Sequence, residues 1–172
     1  MSVAKIIPDI RLAEIRIGKK ASLAASGLIS AIDKQPLAGR AEITDSAVRG
    51  DEYGAPHLHG GPEQAILHYP LQHYEYWRQR YPNRVDRMVA GGFGENFVAD
   101  GWDESTVCIG DIVTVGEVRL QVSMPRQPCI RLNHRFDIAG MAVSVQQICK
   151  TGWYYRVLQP GTIQAGDGSQ PR

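Results

Sequence analysis

Residues 112–129 read Ile112-Val113-Thr114-Val115-Gly116-Glu117-Val118-Arg119-Leu120-Gln121-Val122-Ser123-Met124-Pro125-Arg126-Gln127-Pro128-Cys129. Ile112 to Val115 is β-branched, and Val115-Gly116-Glu117-Val118 reads as a hairpin with glycine at the first turn position. Val118, Leu120 and Val122 then alternate with Arg119, Gln121 and Ser123, a period of two that predicts a strand with the apolar trio on the core face and Ser123 on the polar face. Pro125 and Pro128 fix their own φ and bias Met124 and Gln127 toward extended conformations, so the chain leaves this strand as a stiff arch. The arch ends at Cys129, among Arg126, Arg131, His134 and Arg135, and the next carboxylate is Asp137. Nearby cations favour the thiolate, which is the form that acts as nucleophile and metal ligand. The other reading of Cys129 is a small buried hydrophobe, as free cysteines usually are.

Outward from this stretch the chain continues to read as short strands. Val3–Ile7, Ile10–Ile17, Leu28–Ile32, Gly39–Thr44 and Thr106–Ile109 are rich in β-branched or aliphatic residues and bounded by turn formers, and Trp153–Leu158 ends at Pro160-Gly161. Lys19–Ser26 reads as a helical turn or a loop, and Glu63–Tyr69 as a strand or a short helix. Two helices are predicted. One starts with Pro70 at its first position and carries Leu71, Tyr74, Trp77 and Tyr81 on one face; the other spans Phe136–Lys150, with Ile138, Met141, Val145 and Ile148 in phase. Many short strands with few helices predict a mainly β fold, an antiparallel β-barrel with helical insertions. We expect one domain over residues 1–165 and a disordered polar tail over residues 166–172.

The composition excludes several function classes. A net charge of +1 offers no overall field for a nucleic acid polymer or an acidic membrane, so any anion site must be local. Three widely spaced cysteines, Cys108, Cys129 and Cys149, make neither a disulfide framework nor a zinc site, which fits a reducing cytoplasm. Charge at Lys5, Asp9, Arg11 and Glu14 argues against a secretory signal, and no stretch is apolar enough to span a membrane. His57 and His59 would share a face of an extended segment, but no third ligand stands at a supporting spacing, and a loop histidine that fixes neighbouring backbone is the better reading. Gly60-Gly61 allows close backbone approach. Gly91-Gly92-Phe93-Gly94-Glu95-Asn96 is either a ligand-holding loop or an ordinary tight turn, and it lacks the Walker and dinucleotide-binding patterns.

Taken in order, several short motifs resemble the MOSC domain family, named for the C-terminal domain of molybdenum cofactor sulfurase, and most closely its stand-alone bacterial members linked to resistance against N-hydroxylated purines. They are Ser30-Ala31-Ile32 with Lys34, Gly50-Asp51-Glu52, His59-Gly60-Gly61-Pro62, Tyr69-Pro70 with His73-Tyr74 and Trp77, Phe93-Gly94-Glu95-Asn96, and Ser123-x-Pro125-Arg126-x-Pro128-Cys129. The resemblance runs from about Leu28 to about Gly161 and implies a MOSC-type β-barrel with a molybdopterin form of the molybdenum cofactor in its mouth. It implies Cys129 as the thiolate on molybdenum and Arg126 as the residue that meets the pterin phosphate, with Lys34 and Arg131 as second choices. Ser123 and Asn96 would hydrogen-bond the pterin or orient the Cys129 loop, and His59, Gly60 and Gly61 would line the same pocket. Two departures stand out. Longer relatives continue into a helical segment beyond the point where this chain ends, and Ile29 stands where some eukaryotic relatives have a cofactor-touching lysine.

The activity this implies is reduction of N-hydroxylated compounds, such as hydroxylaminopurines or amidoximes, to amines. The chain shows no flavin, haem or iron–sulfur motif, so electrons would come from an external reductase. A carrier that delivers the cofactor, or sulfur as a Cys129 persulfide, to a partner enzyme uses the same thiol. The sequence does not decide between monomer and dimer.

Overall fold

The computed structural model describes residues 9–23, 26–55 and 59–171. In chain order its elements are β1 (Ile10–Ile17), β2 (Ala21–Ser22), β3 (Ile29–Ser30), β4 (Gln35–Pro36), β5 (Arg40–Ile43), β6 (Ile66–Pro70), α1 (Gln72–Arg80), β7 (Phe97–Ala99), β8 (Ile112–Val115), β9 (Val118–Pro125), α2 (Arg131–Phe136), α3 (Met141–Gln147), β10 (Trp153–Gln159), β11 (Gly161–Gln164) and β12 (Gly168–Pro171). Pairing runs β12-β8-β9-β10-β6-β7-β1 and returns to β12 through Ile10↔Ser169 and Arg11↔Gly168, which closes a barrel. The expected strand Val3–Ile7 and His57 lie outside the described residues.

All barrel contacts but one are antiparallel; β6 and β7 are parallel. A parallel pair needs a long crossover. Residues 71–96 make it, and α1 and the glycine-rich loop both lie within it. The described residues consequently form two apolar cores. The barrel interior packs Leu12, Ile15, Ile66, Val122, Trp153 and Tyr155, whereas Tyr69, Tyr74, Trp77, Phe93, Leu132 and Phe136 form a second cluster beneath the helices.

Several sequence expectations are corrected. Pro70 closes β6 opposite Ala99 instead of opening α1, and Leu71 donates its N–H to the Ala99 carbonyl. Thr106–Ile109 is a loop: Ser105 donates to Asp103, Asp103 to the Thr106 hydroxyl, and Cys108 to Asp111, so side chains satisfy backbone groups that a strand would have used. Residues 136–150 do not form one helix. Asp137 at φ 54° and Gly140 at φ 78° separate α2 from α3, and the Asn133 side chain caps α3 by accepting the Ala142 N–H at 2.8 Å. Gly168–Pro171, read as disordered tail, is instead the barrel-closing strand, because β1 and β8 each offer it an edge of unpaired backbone groups.

A chain ended after Ala165 should therefore lose the closing pairings and melt roughly 4–8 °C lower, about 2 kcal/mol at the ~2–4 °C per kcal/mol of a domain this size. An unchanged melting curve would argue against the closed ring.

Candidate active site

Alternation along two paired strands decides where the site lies. In β6 and β10, Ile66, Trp153 and Tyr155 point into the barrel core, so Leu67 and Tyr154, which pair in register, point outward. They form one wall of a cleft whose other walls come from Ser30, Ala31, Ile32, Lys34, Glu52 to Gly54, His59, Gly60, Gly94, Asn96, Arg126, Cys129 and Arg131. The cleft thus lies outside the barrel wall, between it and the helical layer, and not in the barrel mouth.

The arch from β9 supplies the two central residues. A bulge precedes it: Val122 pairs with Tyr155 and Met124 with Tyr154, which leaves Ser123 as the extra residue. The bulge shifts the alternation by one, so Ser123 is buried, against the expectation of a polar-face position. Its hydroxyl donates to the Glu63 carbonyl at 2.6 Å and lies 3.0 Å from the Tyr154 carbonyl, which leaves no hydrogen for a ligand and makes Ser123 an anchor of the arch. Beyond it, the Arg126 N–H donates to the Gly152 carbonyl at 3.0 Å. Gly152 is held in turn by the Glu104 carboxylate at 2.7 Å, and the other oxygen of Glu104 contacts the buried His73 at 2.7 Å.

Arg126 is only 5% exposed. One of its terminal nitrogens donates to the Phe93 carbonyl at 3.1 Å, while the other, Nη1, is buried without a partner. No carboxylate pairs with it among the described residues. An arginine cannot escape such a position by losing its proton.

Cys129 is partly buried. Burial by itself pushes its thiol up, but a hydrogen bond from His59, the Arg131 N–H and the charge of Arg126 outweigh it and bring the pKa down to about 7. Of the four cations that the sequence placed around Cys129, only Arg126 acts on the thiol by its charge; Arg131 acts through its backbone N–H, Arg135 pairs with Asp33, and His59 is an unforeseen main contributor. His59 and Gly60 line the cleft; Gly61 does not, and instead opens the short 3₁₀ turn Pro62–Gln64.

Two expected ligand-binding residues turn out to be committed to the protein. Lys34 is buried in an ion pair with Asp51, whose carboxylate also accepts the Gly18 N–H at 2.7 Å and the Asn96 amide at 2.8 Å. Burial lowers the Lys34 pKa, and Asp51 pulls it back up. Asn96 accepts the Leu67 N–H at 3.1 Å and donates to the Arg16 carbonyl at 3.1 Å as well, so its amide is fully used as a stitch between segments. The glycine-rich loop is likewise occupied. Fully buried Glu95 accepts from Gly91 at 2.7 Å, from Phe93 at 3.1 Å and from the Tyr74 hydroxyl at 2.6 Å, so those amides face inward and not toward a ligand. Arg131 lines the cleft with a weak 3.5 Å contact to the Ile29 carbonyl and its Nε unpartnered.

Sequence reasoning missed Tyr53, Gln64 and Tyr154 as cleft residues. Tyr154 was findable from the alternation of β10; the other two come from loops whose path no local pattern gives.

The model of the MOSC domain matches residues 55–169 of this chain. The chain belongs to the MOSC domain family. YiiM from Escherichia coli (strain K12) is 44% identical over 139 residues, 81% of this chain and 62% of that protein. Its crystal structure superimposes with a TM-score of 0.79 and 33% identity, covering 96% of this chain and 70% of that one. A protein named Reductase from Gibberella moniliformis is 39% identical over 158 residues, 91% of this chain but 28% of its own length. This MOSC chain therefore spans less than two thirds of the YiiM sequence it matches. Among the described residues no helix is long and apolar enough to cross a membrane, and no three His, Cys, Asp or Glu side chains converge as a metal site.

Two outcomes follow from the site. Asp51→Ala strands the buried Lys34 charge and should cost about 3–5 kcal/mol in urea denaturation, and a Lys34→Met, Asp51→Leu double variant should recover only part of it, because the Gly18 N–H and the Asn96 amide still lose their acceptor. Iodoacetamide should alkylate Cys129 with a rate that rises through a midpoint near pH 7. Because the His59 hydrogen bond favours the thiolate, His59→Ala should move that midpoint upward; an unmoved midpoint would remove His59 from the site.

Proposed function

We propose that this protein binds a molybdopterin form of the molybdenum cofactor in the cleft and reduces N-hydroxylated compounds to amines. The observation that carries this reading is the buried Arg126 guanidinium with one unpartnered nitrogen beside a thiol whose pKa is about 7. A buried, uncompensated cation is costly by several kcal/mol, so the cleft is built for an occupant with an anionic group. A soft thiolate next to it suits a redox metal that arrives already chelated.

The residues present fit that cofactor. Arg126 would hold its phosphate, Cys129 would ligate molybdenum, and His59 would keep the thiol ionised. Arg131 is the secondary cation, while Lys34, spent on Asp51, shapes the floor without contributing free charge. The cofactor, when bound, supplies two-electron redox chemistry. The net reaction is R–NH–OH + 2 e⁻ + 2 H⁺ → R–NH₂ + H₂O. The electrons would be supplied by a redox centre outside these residues. The printed name of the Gibberella relative agrees with a redox role.

Cys129→Ala should retain the wild-type fold by circular dichroism and lose both molybdenum, measured by elemental analysis, and reduction of a hydroxylaminopurine with an artificial electron donor. Full N-reductase activity in that variant would sink the mechanism. Cofactor bound by the wild type without turnover would point instead to a carrier of cofactor or sulfur.

A further inference from the structure

Besides Arg126 Nη1 and Arg131 Nε, the cleft residues include a further unpartnered polar atom that the reading above does not use. Tyr53 lines the cleft, and its hydroxyl is buried with no hydrogen-bond partner among the described residues. An unmade bond of this kind is expensive when the donor is shut away from water. The ring is nevertheless held firmly in place. Gly54, the next residue, is pressed against β3 so closely that a Cβ there would lie 2.5 Å from the Ile29 carbonyl oxygen. Gly60 passes beneath the ring, where a Cβ would lie 3.3 Å away, and Lys34 Nζ stands 5.9 Å from the ring centroid. Packing on both sides thus fixes a phenol whose polar end is satisfied by nothing in the protein.

Burial raises the Tyr53 pKa, and the nearby Asp51 carboxylate and Tyr154 raise it further, so the group is a neutral O–H donor at neutral pH. A neutral donor is a poor choice for a phosphate when Arg126 is available, and a good one for a neutral acceptor. N-hydroxylated substrate and amine product differ in one such acceptor, the oxygen on nitrogen.

We infer that Tyr53 recognises the substrate by donating a hydrogen bond from its phenol to the oxygen of the N–OH group. This rests on the N-reductase reading. It makes Tyr53 the residue that separates substrate from product: the amine left after reduction presents N–H where the oxygen was, and the phenol loses its acceptor. Sites built around a specific hydrogen bond reject the analogue that lacks it far more strongly than apolar pockets reject a change of size.

Tyr53→Phe deletes only the unpartnered oxygen, so the variant should melt with the wild type and carry the same molybdenum content. Equilibrium binding of two probes, 6-hydroxylaminopurine and adenine, then tests the inference without turnover. Wild type should bind 6-hydroxylaminopurine about tenfold more tightly than Tyr53→Phe does, while adenine binds both alike. Equal binding of 6-hydroxylaminopurine to both proteins, or no binding to wild type, overturns the inference. A fall in molybdenum content in Tyr53→Phe also overturns it, by showing that the phenol holds the cofactor. If wild type binds through Tyr53 but reduces nothing, the proposed activity fails and the recognition stands; if it reduces the probe and the variant is unimpaired, the reverse holds.

Discussion

The floor of the cleft depends on one buried carboxylate. Asp51 accepts from Gly18, from Asn96 and from Lys34, and it therefore ties together the end of β1, the segment after β3, its own loop and the residue that enters β7. A carboxylate removed from water needs all of these partners, and each partner belongs to a different stretch of chain. The same requirement explains why Asn96 has no capacity left for a ligand: its amide is one of the bonds that keep the charge tolerable.

The contrast between Lys34 and Arg126 follows from this. Both are basic and buried, and both face one cleft, yet only Lys34 has a carboxylate partner. In a chain of net charge +1, the local field available to an anionic occupant is concentrated at Arg126, with Arg131 at the rim. The proximity of Arg126 to Cys129 couples the two functions: the charge that attracts an anion also helps to keep the thiol ionised.

Many residues that carry the family resemblance turn out to be scaffold. Tyr74 and Glu95 satisfy the amides of the glycine-rich loop, and the Tyr69 hydroxyl accepts the Trp77 indole N–H at 2.7 Å. That loop in turn presents the Phe93 carbonyl to Arg126. The short motifs mark the site because a buried hydrogen-bond network cannot lose one member cheaply, even where the member never touches a ligand.

The sequence by itself determined the β-rich class, the β8–β9 hairpin, the stiff arch and the Arg126 charge near Cys129, since all of these follow from local period, proline geometry and nearest-neighbour charge. Where non-local bonds compete with local preference, only the tertiary structure decided the outcome. The bulge at Ser123, the break between α2 and α3 at Asp137 and the pairing of Gly168–Pro171 each satisfy backbone groups through partners far away in the chain. The same holds for the charges: Lys34 and Arg126 are both candidate anion ligands in the sequence, and the position of Asp51 in space makes one structural and leaves the other without a carboxylate partner. Cys129 accordingly passes from a thiol among arginines to one whose pKa His59 helps to lower, on the outer face of the barrel wall, a setting that depends on which side of β6 and β10 the alternation leaves open.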